Sequence, residues 1–173
     1  MAPTGARALV IGAGPIGIGT ALFARIAGQQ VCMLDMARDR LDFAGSVLGF
    51  PVIDGTGDAF AQAATLTNAE GFDVVYDATG SAASIQSAFA HVAHGGALVL
   101  VSVVKDAITF SDPEFHKREM MLIGSRNATR QDFTHVAVCL ARGDIPLGQL
   151  VTHRTSLADA ARDLPLWAKQ KRG

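Results

Sequence analysis

The fold of this chain is decided by the stretch Ala8-Leu9-Val10-Ile11-Gly12-Ala13-Gly14-Pro15-Ile16-Gly17. Its apolar start predicts a buried strand, and the glycines predict a tight turn that leads into a helix. Gly12 allows the turn off the strand, Gly14 has no Cβ to keep a ligand from the backbone, and Gly17 lets the helix pack closely. Pro15 suits the first helical turn, where its missing N–H costs nothing. The helix N-terminus is therefore expected to attract an anion.

An acidic residue follows the second apolar run at the spacing that a dinucleotide site needs. The run that begins at Gln30 ends in Asp35, which lies 18 residues after Gly17. In the G-x-G-x-x-G fingerprint, such an acid accepts hydrogen bonds from the adenosine ribose hydroxyls. Its charge repels a 2′-phosphate, so the pattern predicts NAD as the cofactor and not NADP. The glycine pattern alone is also compatible with a glycine-rich turn that binds no nucleotide.

Length and composition limit the classes of protein to consider. The chain has 173 residues, of which 49% are hydrophobic and 18% charged, and its net charge is −1. These values predict one folded domain, and the lack of a basic stripe argues against a nucleic-acid partner. Glycines and Pro15 interrupt the apolar run over 8–24, which predicts a strand and a helix and not a membrane span. Met1–Ala6 lacks the basic region of a signal peptide. Cys32 and Cys139 form no C-x-x-C pair, so we expect two buried thiols in a reducing, cytoplasmic setting.

Strand and helix patterns alternate along the chain. This order predicts an α/β fold of the Rossmann type, a doubly wound parallel sheet with helices on both faces. The predicted strands cover about 7–11, 30–35, 51–53, 72–77, 97–103, 107–110 and 120–124, with a short extended piece at 148–152. The predicted helices cover about 15–27, 38–48, 57–69, 81–94, a turn from 111, 129–142 and a last helix from 156, which Pro165 would kink.

Several motifs, taken in order, resemble those of one enzyme family. They are the glycine stretch, Asp35 with Arg40 five residues on, Tyr76-Asp77-Ala78-Thr79-Gly80, Gly95-Gly96 before the strand that ends at Val103, Ile123-Gly124-Ser125-Arg126, and Val151-Thr152-His153-Arg154 followed by Leu157. The set resembles the coenzyme domain of the zinc-type medium-chain dehydrogenase/reductases, which include alcohol, sorbitol, threonine and sugar-acid dehydrogenases. It covers nearly the whole chain and is most similar to the polyol and sugar-acid dehydrogenases.

The resemblance implies a role for the residues that follow each strand. Asp35 would hold the adenosine ribose, and Arg40 would lie along the adenine or ribose edge, with a solvated helix charge as the alternative. Ala78-Thr79-Gly80 would border the adenosine side. Val101-Ser102-Val103 would lie beside the nicotinamide, with plain core packing as the alternative for the two valines. Backbone groups around Ser125-Arg126 would hold the nicotinamide carboxamide.

The resemblance also implies a larger enzyme. The family carries its zinc ligands in a domain that mostly precedes the fingerprint, so we expect 1–173 to be a coenzyme-binding fragment without that domain. The parent would transfer a hydride between NAD and a secondary alcohol of a polyol or sugar acid, with zinc as the Lewis acid. We expect the fragment to contain no catalytic or metal-ligating residue, to bind NAD weakly and to catalyse nothing.

The histidines do not predict a metal site. His91 and His94 are three residues apart and are expected on one face of the predicted helix 81–94, but no third ligand lies nearby in sequence. The remaining histidines are scattered, and surface or capping roles are expected for them: His116, His135 and His153. The chain also lacks a G-x-S-x-G elbow and a Walker pattern, which argues against covalent catalysis and triphosphate hydrolysis.

Two other functions share the fingerprint and the acid. One is a non-catalytic NAD-sensing Rossmann module, which does not explain the motifs at 123–126 and 151–154. The other is a methyltransferase that binds S-adenosylmethionine through a related glycine loop. In the resembled family, the strands near 107–110 and 120–124 pair across a two-fold axis, so a homodimer through the sheet edge is expected.

Overall fold

A computed structural model of the chain describes residues 4–169, which form two compact units, one up to residue 127 and one from 128 onward. The first unit contains six strands: β1 Arg7–Ile11, β2 Gln30–Asp35, β3 Val52–Asp54, β4 Phe72–Asp77, β5 Val92–Leu100 and β6 Met121–Gly124. Its helices are α1 Pro15–Ile26, α2 Arg38–Asp42, α3 Ala59–Thr67, α4 Ala82–Ala88 and α5 Asp112–Lys117. The helices of the second unit are α6 Arg130–Arg142, α7 Leu147–Leu150 and α8 Ala160–Lys169.

The six strands form one parallel sheet in the order β3-β2-β1-β4-β5-β6. The chain moves outward from β1 to β3 in one direction and from β4 to β6 in the other, and right-handed crossovers then place the two sets of helices on opposite faces. This is a doubly wound Rossmann sheet, so the predicted fold class is confirmed. Four strands end level, because Ile11 is in register with Asp77, Asp77 with Leu100, and Leu100 with Gly124. The residues directly after these strands therefore share one edge of the sheet.

The main core lies on one face of this sheet, where alternate residues of neighbouring strands point the same way. Helices α3 and α4 contribute small and branched side chains to it, and further aromatic and aliphatic residues of 89–115 pack against its margin. The buried members are Leu9, Ile11, Cys32, Leu34, Ile53, Ala63, Phe72, Val75, Ile85, Ala88, Val92, Leu98 and Met120. This packing keeps the carboxyl ends of the strands aligned with one another.

Strand β5 corrects two of the sequence predictions. The helix predicted over 81–94 ends at Ala88, followed by a 3₁₀ turn to His91, because Val92 is extended and enters the sheet beside Phe72. His91 and His94 therefore do not share a helix face. At its other end, β5 stops at Leu100 and not at 103, since the next two N–H groups both donate to the carbonyl oxygen of Asp77.

Three other segments differ from their predictions. The stretch 107–110 is not a strand, because the Phe110 ring stacks on Phe89 with 4.9 Å between centroids instead of joining a ladder. The extended piece predicted at 148–152 is wrong, since Leu147–Leu150 forms a helical turn after Pro146. The helix predicted over 38–48 is interrupted: α2 is followed by a wider π-helical turn at Phe43–Val47.

The second unit begins with a well-capped helix. Thr129 and Asp132 form a capping box at the start of α6, and Gly143 ends that helix with a left-handed φ of 78°. Helix α8 begins at Ala160, later than the predicted 156, and Pro165 lies inside it. The sequence therefore predicted α6 within one residue at its start, missed α7 and placed the start of α8 four residues too early.

The two cysteines give a first prediction. Cys32 and Cys139 are both buried and free, and burial raises the pKa of Cys32 to about 12. Because both sulfur atoms are buried, and because the reactive thiolate form of Cys32 is disfavoured, neither thiol should react with a disulfide reagent at pH 8 until denaturant is added. Between about pH 9 and pH 12, the Cys32 thiol is ionised in the unfolded chain and protonated in the folded chain. The free energy of unfolding should therefore fall with rising pH in this range. Rapid labelling of the native chain would contradict this, and Cys32→Ala should remove this part of the pH dependence.

Candidate functional site

The glycine turn is anchored between two strands and the start of α1. The Gly12 N–H donates to the Leu34 carbonyl at 2.7 Å, and the Ala78 N–H donates to the Ile11 carbonyl at 2.9 Å. Gly12 has a φ of +98°, which favours glycine at this position. A Cβ added to Gly17 would lie 1.7 Å from the Gly12 carbonyl oxygen. The loop and helix are therefore packed so closely that a side chain at Gly17 has no room.

The N-terminus of α1 offers free donors to an anion. Gly14 is the N-cap residue and Pro15 begins the helix, so the N–H groups of Ile16 and Gly17 lie in the first turn, where intrahelical acceptors are lacking. A Cβ added to Gly14 would meet only the Arg40 Nη1 atom, 3.9 Å away. The backbone of Gly14 is therefore open to an approaching group, and the helix dipole and a guanidinium favour a negative one.

Asp35 ties this loop to the end of β2. Its Oδ2 atom accepts the Ala13 N–H at 2.6 Å, and its Oδ1 atom accepts the Ala37 N–H at 2.8 Å. The Arg40 Nη1 atom lies 3.9 Å from Oδ2, so the basic group is a distant neighbour of the carboxylate. A carboxylate has about four acceptor positions, and two backbone donors leave capacity for hydroxyl groups of a ligand.

A cleft of about 540 Å³ joins these groups. Six of the residues predicted from the sequence line it: Gly12, Gly14, Asp35, Arg40, Ala78 and Thr79. The structure adds lining residues that were not predicted as site residues: Ile11, Leu34, Met36, Gly55, Ala59, Ser81, Ala83, Ser84, Ser87 and His91. Adjacency to Gly12, Asp35 and Gly80 is a signal that could have identified Ile11, Leu34, Met36 and Ser81. The remaining residues come from the loop after β3, from α3, from α4 and from the turn that ends at His91, which only the fold brings together.

His91 lies in the turn after α4, lines this cleft and contributes no charge there. Its ring centroid is 6.1 Å from that of Phe60, and its Nδ1 atom is buried without a hydrogen-bond partner among the described residues. Burial lowers the pKa of His91, so the imidazole is neutral at pH 7. This part of the cleft therefore carries a neutral polar group and no charge at pH 7.

The other predicted site residues divide into two groups. Gly80 and the loop Val101-Ser102-Val103 meet directly, since the Gly80 N–H donates to Ser102 Oγ at 2.9 Å, and Val103 is 81% exposed. Ser125 and Arg126 lie after β6 and line a separate hollow of about 730 Å³ over β4, β5 and β6. All of them follow carboxyl ends of strands, at the edge where ligands of open α/β sheets bind.

The geometry at Gly14 gives a second prediction. Gly14→Ala should fold with nearly unchanged stability, because its Cβ meets only the end of a flexible arginine. It should bind a dinucleotide at least about tenfold more weakly, since the methyl group occupies the path to the backbone N–H groups. Thermal melting and calorimetric titration check both halves. Unchanged dinucleotide affinity would show that no phosphate approaches this backbone.

The strand order, the glycine turn and the acid at the end of β2 together define a dinucleotide-binding domain of the Rossmann class. The sequence model of the family described as zinc-binding dehydrogenase matches residues 15–142. The chain belongs to this family, as its coenzyme-binding domain.

Relatives of known name agree with this family. The L-galactonate-5-dehydrogenase of Escherichia coli (strain K12) is 38% identical over 158 residues, which are 91% of this chain and 46% of that protein. The D-altritol 5-dehydrogenase of Agrobacterium fabrum (strain C58) is 32% identical over 167 residues, covering 95% of this chain and 47% of that protein. The chain therefore spans about half the length of these relatives.

Solved structures show the same fold. The alcohol dehydrogenase TADH of Thermus sp. ATN1 matches with a TM-score of 0.83 and 28% identity over 96% of this chain and 49% of that one. A 2R,3R-butanediol dehydrogenase of Bacillus subtilis has a TM-score of 0.88 at 23% identity, covering 98% of this chain and 49% of that one. The second match supports the fold alone.

Neither a metal cluster nor a membrane span is found within residues 4–169. No group of three or more His, Cys, Asp or Glu residues in this part of the chain is placed to hold a metal ion. None of the helices in the same range has the length and apolar character needed to cross a bilayer.

Proposed function

We propose that this chain is the coenzyme-binding part of an NAD-dependent, zinc-type dehydrogenase. The observation that carries the proposal is the cleft in which the open backbone of Gly14 and the carboxylate of Asp35 face the same space. A pyrophosphate suits the first, because it is an anion at a helix N-terminus, and ribose hydroxyls suit the second. Membership of the zinc-binding dehydrogenase family agrees with a ligand that carries both a pyrophosphate and a ribose.

The residues of the strand ends would hold the cofactor along its length. Asp35 would accept from the adenosine ribose, the N–H groups of the glycine turn would bind the pyrophosphate, and the segments around Val101–Val103 and Ser125-Arg126 would hold the nicotinamide end. NAD supplies the hydride acceptor when it is bound, and the protein orients it. Asp35 would also reject NADP, because a 2′-phosphate would place like charges together.

The substrate class is proposed from the relatives. Those reported above are named as dehydrogenases of a sugar acid, a polyol and alcohols, so we propose a small molecule with a secondary alcohol. Because the chain covers about half of those proteins, we assign the zinc ligands and most of the substrate pocket to the remainder of the parent enzyme. The buried free thiols are consistent with a cytoplasmic location.

Calorimetric titration of the chain with three ligands tests the proposal. NAD⁺ should bind at least about tenfold more tightly than NADP⁺, and S-adenosylmethionine should not compete. Tighter binding of S-adenosylmethionine would support a methyltransferase and overturn the proposal. Regulatory Rossmann domains of transporters are NAD-sensing modules of this kind. A gene that joins this chain to a membrane transporter, and not to a segment with zinc-binding residues, would therefore indicate such a module.

The outer edge of the sheet supports the proposal of a homodimer. Among residues 4–169, strand β6 pairs with β5 alone, and Met121, Leu122 and Ile123 are each 41–51% exposed. An apolar edge strand with free backbone groups favours pairing with a second copy. Light scattering after size exclusion should therefore give a dimer, and Leu122→Lys should give a monomer that still melts cooperatively but whose melting temperature no longer depends on concentration. A wild-type chain that is monomeric at all concentrations would contradict the homodimer.

A further inference from the structure

A buried carboxylate lies at the end of β4, between two loops of the site. Asp77 is fully buried. Its Oδ1 atom accepts from the N–H and the hydroxyl of Thr79 at 3.0 and 2.9 Å. Its Oδ2 atom accepts from Ser84 Oγ at 2.6 Å, and Ser102 Oγ makes a longer contact of 3.4 Å with Oδ1. All of these donors are neutral, so hydrogen bonds and not a counter-ion satisfy the carboxylate.

Asp77 orients the hydroxyls that hold the turn after β4. The Ser81 N–H donates to Thr79 Oγ1 at 3.2 Å, and the Gly80 N–H donates to Ser102 Oγ at 2.9 Å. Both hydroxyls donate onward to the Asp77 carboxylate. The carboxylate therefore fixes which way each hydroxyl points, and so keeps their oxygen atoms available to the backbone of the turn.

Asp77 also holds the loop after β5. The N–H groups of Val101 and Ser102 donate to its carbonyl oxygen at 2.9 and 3.3 Å, which ends the strand and turns the chain away from the sheet. One residue thus joins the turn after β4 to the loop after β5 through both its backbone and its side chain. The loop contains Val103, which is strongly exposed and has no such anchor of its own in the described contacts.

We propose that Asp77 is a positioning residue for the nicotinamide half of the cofactor, an inference that rests on the proposed function. Asp77 holds two segments: the turn at Thr79, which lines the cleft beside Asp35, and the loop after β5, which is the segment assigned to the nicotinamide. The positioning role concerns the second segment. Weakening the side-chain acceptor would release Ser102 Oγ, and with it the Gly80 N–H, while the backbone bonds from Val101 and Ser102 remain. The Ser102 side chain would then have to be ordered during binding, and that cost would reduce affinity for the complete dinucleotide. A ligand without nicotinamide would make no contact with the ordered loop, so its affinity would fall less.

Binding of NAD⁺ and of ADP-ribose to the full chain separates positioning from plain stability. Asp77→Asn turns one acceptor into a donor, and we expect NAD⁺ affinity to fall about tenfold while that of ADP-ribose falls less than about threefold. Ser84→Ala, which removes the 2.6 Å donor without disturbing helix α4, should shift the ratio in the same direction by less. Asp73→Asn is the matched control, since that carboxylate accepts the Arg7 N–H at 2.7 Å at the other end of β4.

The outcomes are distinguishable. The positioning role would be overturned if Asp77→Asn and Ser84→Ala left the ratio of NAD⁺ affinity to ADP-ribose affinity unchanged, which includes equal losses of both affinities. NAD binding itself would stand. If Asp77→Asn does not melt cooperatively, the ratio in Ser84→Ala decides. A wild-type chain that binds neither ligand would instead overturn the proposed function. A shift of the ratio in Asp73→Asn as large as that in Asp77→Asn would also count against the proposal.

Discussion

Replacing Gly17 with alanine is expected to lower the free energy of unfolding by at least about 3 kcal/mol. The added Cβ would lie 1.7 Å from the Gly12 carbonyl oxygen and 2.8 Å from its carbon, and neither is the end of a flexible side chain. The start of α1 would have to move away from β1, which opens the glycine turn as well. Urea unfolding followed by circular dichroism measures the loss.

Gly19 provides the matched control for this substitution. It lies two residues further along α1, and a Cβ added there would meet no atom within 4 Å. Gly19→Ala should therefore raise the free energy of unfolding by about 0.5–1 kcal/mol, because alanine loses less backbone entropy in a helix. Equal effects of the two substitutions would show that helix propensity, and not close packing on the strand, decides the behaviour of Gly17.

Replacing Asp35 with alanine is expected to weaken NAD⁺ binding about 100-fold. The change removes the acceptor proposed for the ribose hydroxyls and releases the Ala13 and Ala37 N–H groups that the carboxylate now holds. It also removes the negative charge that opposes a 2′-phosphate, so affinity for NADP⁺ should fall less than affinity for NAD⁺. Calorimetric titration with both cofactors measures the change in preference.

Two further variants identify the cause of that change. Asp39→Ala removes an exposed acid from the same region, and we expect it to leave the preference unaltered. Adding Arg40→Ala to Asp35→Ala should reduce the shift towards NADP⁺, because the Arg40 guanidinium lies 3.9 Å from Asp35 Oδ2 and could pair with a 2′-phosphate. An Asp35→Ala chain with wild-type NAD⁺ affinity would contradict the assignment of the acid.

Local sequence predicted the parts of the fold that local forces determine. The strands Arg7–Ile11, Gln30–Asp35 and Phe72–Asp77 have the predicted bounds, because each is an apolar run between polar or glycine residues. The ends of β5 were wrong at both sides, since they depend on bonds to Phe72 and Asp77, which lie 20 or more residues away. Apolar patterns contain no information about such partners.

The candidate site shows the same division. The glycine turn and Asp35 could be predicted, because a strand, a turn and an acid at fixed spacing are local features. The sequence analysis places Asp77 in a motif but predicts no role for its side chain. Its partners Ser84 and Ser102 are 7 and 25 residues away, and no sequence pattern specifies those spacings. The same holds for the wall that α3 and α4 give to the cleft. These contacts arise from the parallel sheet and not from neighbouring residues.

A crystal structure of the chain grown with NAD⁺ tests the central claim most directly. We expect density in the cleft between Gly14 and Asp35, with the pyrophosphate against the first turn of α1 and both adenosine ribose hydroxyls within hydrogen-bond distance of the Asp35 carboxylate. An empty cleft at saturating NAD⁺, or an adenosine bound away from that carboxylate, would contradict it.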